Sequence, residues 1–359
     1  MKIAVEREVL LAPLQAVNGA IEKKGLPVLT HVLMVGDGET VTFTGSDLET
    51  TLIAKARFPH EPFAVTLPAK RFLDVLSAFP KGSMVGVQVE ADKATIKAGR
   101  SRFQVVPLPA DDYPSFDTLA FDVEQVLPQS VLKSMIDCTE HAMAKQDVRY
   151  YLNGLLFEFQ SEQFSVVATD GHRLAVQQHR VSCDTDRNVI IPSKAVSELK
   201  RLLQDTGDCT LSIGNNHVKV DLNERTFITK LIDGIFPDYQ RVIPNKSDFE
   251  IRVNRETLLS AVGRAALVLE KGSGMAFALS ENLLTLKAKN QQDEAEEELE
   301  VEHLHGAFEI GLNSSYVQDV LRAMDSETVK FGFTEPGNSV LVGGVESDDG
   351  TFVIMPMRL

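Results

Sequence analysis

Cysteine is scarce in this 359-residue chain: Cys138, Cys183 and Cys209 lie far apart and are odd in number. They form no CxxC pair, so neither a disulfide framework nor a zinc ribbon is indicated, and a reducing cytoplasm is the simplest setting. No apolar run approaches the roughly 18 residues that a membrane helix needs. The opening MKIAVEREVLLAPL carries Glu6 and Glu8 where a signal peptide would have an unbroken apolar core. Tryptophan is absent, yet a composition of 43% hydrophobic and 24% charged residues is ordinary for a globular protein. Positive charge is in deficit: 36 Lys and Arg stand against 51 Asp and Glu, a net charge of −15. That balance predicts a soluble protein and argues against a generally basic coat for DNA.

Catalytic signatures are missing as well. There is no phosphate loop ending GK[ST], no HExxH and no GxSxG, and KGSGMAF (271–277) reads as a turn. His303 and His305 could share a metal on one strand face, but no third ligand accompanies them, and a plain strand pair is the better reading. His172, beside Asp170 in ATDGHRLA, could serve as a general base of a hydrolase; a lone histidine at a turn is more often structural. The acidic run DEAEEELEVE (293–302) alternates between strand faces and lacks loop geometry for a cation. No metal and no cofactor are expected.

What is present is a threefold repeat. VEREVLLAPLQAV (from Val5), LPQSVLKSMIDCT (from Leu127) and VNRETLLSAVGRA (from Val253) share one pattern, at offsets of 122 and 126 residues. LPAKRFLDVLSAF (from Leu67), IPSKAVSELKRLL (from Ile191) and LNSSYVQDVLRAM (from Leu312) share another, at offsets of 124 and 121. Each reads as a strand entering an amphipathic helix, such as the one carrying Leu10, Leu11, Leu14 and Val17. Ser193 suits a helix cap, and Pro68 and Pro128 suit helix starts. Alternating stretches with Gly and Asp turns follow each helix. The expectation is an α+β protein of three tandem domains, each with two helices and about eight strands in antiparallel meanders. Pro- and Asp-rich stretches at 107–122 and 236–250 place the domains at 1–119, 120–245 and 246–359.

Charge is unevenly spread. The six helical segments, taken as 6–24, 69–79, 128–145, 193–205, 254–266 and 313–324, hold thirteen basic and ten acidic residues in a strongly acidic chain. Arg71, Lys194 and Arg201 are among the thirteen, as are Lys23 and Lys24. These are either ordinary solvated faces or a surface of helices turned to a polyanion. The ends differ too: Lys97, Arg100 and Arg102 surround one strand of the first repeat, while Asp293, Glu294, Glu296 and Glu297 mark a strand of the third. A basic edge and an acidic edge favour head-to-tail association, which closes into a ring if the rotation permits. Screened charges give little energy, so Phe103, Val105, Leu267 and Val268 would supply most of it.

Four motifs in order, QDVRYYLNG (146–154), ATDGHRLAV (168–176), KLIDGIFPDY (230–239) and VIMPMRL (353–359), carry a resemblance from end to end. The chain resembles the bacterial sliding-clamp family, the β subunit of DNA polymerase III. The resemblance implies a ring of two head-to-tail subunits whose helices line a hole for duplex DNA, with no catalytic residues. It implies double-stranded DNA, the polymerase III alpha subunit, the clamp loader and other clamp-binding proteins as partners, and a cytoplasmic location without membrane association. It puts Gln146, Arg149, Tyr150 and Tyr151 on one DNA-meeting loop and Lys23 or Lys24 on another. Tyr150 and Tyr151 could equally pack at a domain edge.

Family partners insert a peptide with Gln and apolar anchors. Its groove would be Leu152, Thr169, Gly171, His172, Arg173, Leu174, Pro237, Arg241, Val242, Ser339, Val353, Met355, Pro356 and Met357. Apolar side chains make an adaptable floor, and Arg173 is expected to fix polar peptide groups. Taken alone, Met355 and Met357 would read as core. Two departures stand out: Gln240, where the family often has a second basic residue, and 178–190, which reads as a variable loop. An acidic peptide-binding scaffold that never encircles DNA is the rival reading.

Overall fold

The structure is a computed structural model. It describes residues 1–359 apart from 91, 115–118, 161, 183–185, 271, 303–305, 336 and 347–349. His303 and His305 thus lie outside the described residues.

The first third of the chain holds β1 (Lys2–Glu6), α1 (Arg7–Val17), β2 (His31–Gly36), β3 (Thr40–Ser46), β4 (Thr50–Arg57), β5 (Phe63–Pro68), α2 (Ala69–Ala78), β6 (Met84–Val89), β7 (Ala94–Ala98) and β8 (Ser101–Val105). The middle repeats the order with β9 (Val123–Pro128), α3 (Gln129–Thr139), β10 (Gly154–Gln160), β11 (Gln163–Thr169), β12 (Arg173–Arg180), β13 (Arg187–Pro192), α4 (Ser193–Leu202), β14 (Asp208–Ile213), β15 (His217–Asp221) and β16 (Arg225–Lys230). The last third holds β17 (Phe249–Asn254), α5 (Arg255–Ala265), β18 (Gly274–Ser280), β19 (Leu283–Lys289), β20 (Glu294–Glu300), β21 (Phe308–Asn313), α6 (Ser314–Ala323), β22 (Thr328–Phe333), β23 (Val340–Gly344) and β24 (Thr351–Ile354). Each third therefore has two helices and eight strands among the described residues.

Every helix begins on the residue after a strand ends. Three of the six junctions carry Pro68, Pro128 or Pro192, whose missing N–H costs nothing in a helix's first turn. Asn254 and Asn313 cap instead: Asn254 Oδ1 accepts from the Thr257 N–H at 3.0 Å, and Asn313 Oδ1 from Ser315 N–H at 2.9 Å. Ser193 is the first residue of α4 rather than its cap, because Pro192 takes that place. Leu10, Leu11, Leu14 and Val17 are all buried, as their spacing predicts. Two helices stop early. The first gives way to a tight turn at Asn18–Ala20 and the third to one at Glu140–Ala142, so Lys23, Lys24 and Lys145 lie beyond them. Gly19 in the first turn weakens continuation.

The chain forms two compact units. One comprises 1–132 and 197–231 and holds a four-stranded sheet, β1-β6-β7-β8, and an eight-stranded sheet, β5-β2-β3-β4-β16-β15-β14-β9. The other comprises 133–196 and 232–359 and holds an eight-stranded sheet, β13-β10-β11-β12-β24-β23-β22-β17, and a four-stranded sheet, β20-β19-β18-β21. Neighbouring strands are antiparallel. Each eight-stranded sheet joins strands from different thirds of the chain. β4 pairs with β16 from Thr50↔Thr229 to Ala54↔Arg225, and β12 with β24 from Arg173↔Ile354 to Val176↔Thr351.

α1 packs on α2 and β4 in the first unit, and α5 on α6 and β20 in the second. Buried Phe159 and Phe164 stack in the second unit with their rings 4.4 Å apart, and Phe157 meets Phe164 edge to face. The stretch 178–190 is not one long loop: its ends belong to β12 and β13, and only 181–186 lies between them.

Candidate functional site

The second unit carries a cavity of about 230 Å³ over the face of its eight-stranded sheet. Its floor is built on buried Leu156, Val167, Leu174, Val176, Ile190, Tyr239 and Val353. Strand alternation places the sheet residues on one face, and the segment after β16 lies across them, pinned where Ile232 N–H donates to Ile190 O at 2.9 Å. Tyr239 anchors that segment. Its hydroxyl donates to Glu158 Oε2 at 2.6 Å, and burial together with the carboxylate pushes its pKa up to about 12.

Of the fourteen groove residues expected from sequence, nine line this cavity: Leu152, Thr169, Gly171, Arg173, Leu174, Pro237, Val242, Val353 and Met355. The other five do not. His172 is exposed, and its backbone oxygen accepts from Met355 N–H at 2.9 Å. Arg241 is turned out to Asp238, 2.7 Å away. Met357 is drawn off by Gly311, whose carbonyl accepts from its N–H at 2.8 Å. A Cβ at position 311 would collide with the Met357 carbonyl, so glycine is required there. Ser339 and Pro356 are half-buried outside the lining. Sequence reading missed Asp238 and Tyr239, and placed Arg149 and Tyr151 toward DNA, whereas all four line the cavity. Pro237, Asp238 and Tyr239 are consecutive in the lining, so the adjacency of Asp238 and Tyr239 to the expected Pro237 was the available signal.

Arg173 is not free to hold a peptide. Its guanidinium donates from Nε to Asp170 Oδ2 at 3.0 Å and from one terminal nitrogen to Asp319 Oδ2 at 2.7 Å, and it lies 4.3 Å over the Tyr316 ring. Asp170 Oδ1 also accepts the backbone N–H groups of His172 and Arg173, so it serves Arg173 and its own turn. Both carboxylate oxygens of Asp170 are thus engaged by the turn and by Arg173. Gly171 in this turn has φ +89°, which an L side chain rarely adopts. Arg149 is likewise engaged. Its side chain donates twice to Asp147, at 3.0 and 2.8 Å, and to the Asp170 carbonyl at 3.1 Å, and its backbone N–H donates to Asp147 Oδ1 at 2.8 Å. Those bonds hold the Asp147 carboxyl down to about 2.

Below the turn lies His141, its ring 5.9 Å from Phe352. Burial, helped by the Arg173 charge, lowers its pKa to about 4.

The other candidate residues fall at two strand edges and on scattered surfaces. β8 is an outer strand of its sheet, and Lys97, Arg100, Arg102 and Phe103 are exposed on or beside it. Val105, expected at an outer edge, is buried, while its neighbour Val106 is exposed. β20 is an outer strand of the other four-stranded sheet. Asp293, Glu294 and Glu296 are exposed there with Glu298 and Glu300, which sequence reading left out. Glu297 faces the opposite way, to Arg264. Leu267 is 84% exposed and Val268 half-buried.

Lys23, Lys24, Arg71, Gln146, Tyr150 and Lys194 are exposed. Tyr150 and Tyr151 meet edge to face at 5.8 Å. Arg201 is committed: it donates to the carbonyls of Gln15 and Ala16 at 3.2 and 2.7 Å, satisfying the end of α1. Arg7 and Arg255 do similar internal work, donating to the carbonyls of Phe79 and Leu321. The basic excess of the helices is therefore partly structural. No group of metal ligands occurs among the described residues, and no helix there is long and apolar enough to cross a membrane.

Three family profiles cover the chain: the DNA polymerase III beta subunit N-terminal domain matches 1–117, its central domain 126–238 and its C-terminal domain 240–358. The chain belongs to the DNA polymerase III beta subunit family. It is 43% identical to the beta sliding clamp of Escherichia coli strain K12 over 368 residues, covering all of both chains. The crystal structure of the DNA polymerase III subunit beta from Pseudomonas aeruginosa matches with a TM-score of 0.96 at 41% identity, again over both full chains. A second structure of the Pseudomonas aeruginosa sliding clamp, bound to griselimycin, matches with a TM-score of 0.97 at 40% identity over both full chains. The threefold clamp architecture expected from the repeats is thereby established.

Proposed function

We propose that this chain acts as a homodimer that encircles duplex DNA and tethers DNA polymerase III alpha subunit, the clamp loader and other motif-bearing proteins through the cavity on its second unit. As a member of the beta subunit family the chain is a DNA sliding clamp, a processivity factor rather than an enzyme. The observation that carries the tethering is the apolar cavity of about 230 Å³ whose lining gathers residues from all four family motifs. Held there, a polymerase that leaves DNA rebinds intramolecularly, at high effective concentration.

Ring closure is supported by the two open edges. β8 of one copy, with Lys97, Arg100 and Arg102, complements β20 of the next, with Glu294, Glu296, Glu298 and Glu300. Lys23, Lys24, Arg71, Gln146, Tyr150 and Lys194 are proposed to meet phosphate, which positions DNA without reading its sequence. Domains at 1–119, 120–245 and 246–359, and a cytoplasmic location, complete the reading.

The test is retention on circular DNA after loading, followed by linearisation. A sliding ring stays on the circle and runs off the cut ends. A peptide-binding scaffold that never encircles DNA would show no such difference.

A further inference from the structure

Two apolar side chains beside the cavity stand almost fully in solvent. Val148 is 95% exposed and Ile235 90%, the two most exposed large hydrophobic residues among those described. Single apolar residues on a surface need no explanation, but these belong to two loops that touch. A Cβ on Gly234 would come within 3.1 Å of Tyr151 Cβ and 3.3 Å of a Tyr150 ring carbon, so the second loop lies directly on the first. Neither loop is loose. Asp147 N–H donates to Asn153 Oδ1 and Asn153 Nδ2 to the Asp147 carbonyl, both at 2.9 Å, and Arg149 is tied to Asp147. Ile232 and Phe236, on either side of Ile235 in the chain, pack on the core beneath the cavity, as Tyr151 does. Val148 is therefore held out between Asp147 and Arg149, and Ile235 between Gly234 and Phe236, while their neighbours are fixed.

We propose that Val148 and Ile235 form an outer step of the groove, a docking surface for a bulky apolar side chain that follows the groove-binding motif of a tethered protein. The inference rests on the peptide-tethering reading above. Continuity with the cavity chooses this occupant: Arg149, next to Val148, and Pro237 and Asp238, just past Ile235, all line it. The apolar anchors of the motif are the part that fits this lining, so the residues next to them reach the step. Uncharged branched side chains offer phosphate neither a charge nor a hydrogen bond, so duplex DNA gains nothing from them. A leucine laid there is removed from water together with both. Because the loops are pinned before binding, little ordering entropy is lost. The step thus adds affinity for partners whose motif continues into apolar sequence, and nothing for a motif that continues into polar residues.

The test uses the full-length dimer and three capped peptides that share a core of Gln followed by apolar anchors. One is the core alone, one continues beyond the apolar end into Ser-Leu-Leu, and one into Ser-Ser-Ser. The leucine extension should bind the parent about fivefold more tightly than the serine extension. Combining Val148→Ser with Ile235→Ser should abolish that advantage and leave the dissociation constant of the core unchanged, whereas Ile235→Leu should retain it. The advantage should survive raised salt, as an apolar contact does and a charged one does not. Circular dichroism checks that the double variant folds, and once loaded on circular DNA it should be retained as the parent is. Equal affinity of the parent for the two extensions would overturn the proposal, as would an advantage that persists in the double variant. Weaker binding of the core alone would make the loops part of the cavity's own frame, and lost retention would assign them to the duplex; either result overturns it too. Failure of the parent to bind even the core would instead sink the tethering reading, and this inference with it.

Discussion

Glu297 on β20 grips Arg264 on α5 with two hydrogen bonds, 2.8 and 2.6 Å long. The pair raises the Arg264 pKa and lowers that of Glu297 through their mutual bonds. It takes one carboxylate off the acidic edge and one cation off the helix surface. Strand alternation decides this: Glu294, Glu296, Glu298 and Glu300 point one way, and Glu297 points with Leu299 toward the helix.

Dimerisation should follow that division. Replacing Arg100 and Arg102 by Glu sets like charges against β20 and should raise the dimer dissociation constant, measured by sedimentation over a dilution series. Glu297→Gln should leave it nearly unchanged, because that side chain faces its own α5. Equal sensitivity of both variants would contradict the assignment of faces.

Binding to DNA should depend on Lys23 and Lys24. Their replacement by Ala should weaken duplex binding alike for all sequences. The slope of log affinity against log salt should flatten by roughly 0.9 for each phosphate that is no longer neutralised. Arg149→Ala is a poor probe of DNA binding, since it also releases Asp147 and the Asp170 carbonyl of the groove. A sequence-selective effect in the lysine variant would overturn a phosphate-directed surface.

Acid should destabilise the fold partly through His141. Unfolded, the imidazole protonates near pH 6.5; folded, it does so only near 4. The unfolded chain therefore binds more protons between those values. Stability is complete above pH 6.5 and falls as pH drops toward 4, by about 3 kcal/mol from this group. The stability gap between the parent and His141→Leu, from urea unfolding at stepped pH, should change by that amount across the window. A constant gap would mean that the ring is solvated.

Peptide binding should be impaired more cleanly by a point change than by truncation. Met355→Ala removes a cavity-lining side chain and should weaken the Gln-bearing peptide by about tenfold or more, at roughly 1.5–3 kcal/mol for a buried anchor. Deleting Met355 to Leu359 would also remove the Met357 bridge to Gly311 on β21. A lowered melting temperature is expected for the truncation and not for Met355→Ala. Full peptide affinity in Met355→Ala would place the groove elsewhere.

Much of this was legible in the sequence because period and alternation are local properties. The two helices and eight strands of each third follow from repeated spacing, and the apolar residues of the cavity lining from the family resemblance alone. The engagement of charged side chains was not legible. Arg173 and Asp319 are 146 residues apart, and Arg201 reaches the carbonyl of Gln15 across 186. Only the folded register brings such groups together, so a cation counted as available from sequence can be fully used inside the chain. Val105 and Glu297 failed for a smaller reason: one step along a strand reverses the face.

The pairing of β4 with β16, and of β12 with β24, has a consequence for how the chain can be divided. The family boundaries near 120 and 240 are boundaries of sequence repetition, while the hydrogen-bonded ladders run straight across them. A fragment ending near 119 would leave β4 with a bare row of amide and carbonyl groups, an adhesive edge prone to join any neighbouring chain. A protease nick in either connecting stretch, by contrast, would cut one covalent strand and leave those ladders closed. The repeats are thus separable in ancestry but not in the test tube, and the chain should survive scission where it would not survive excision.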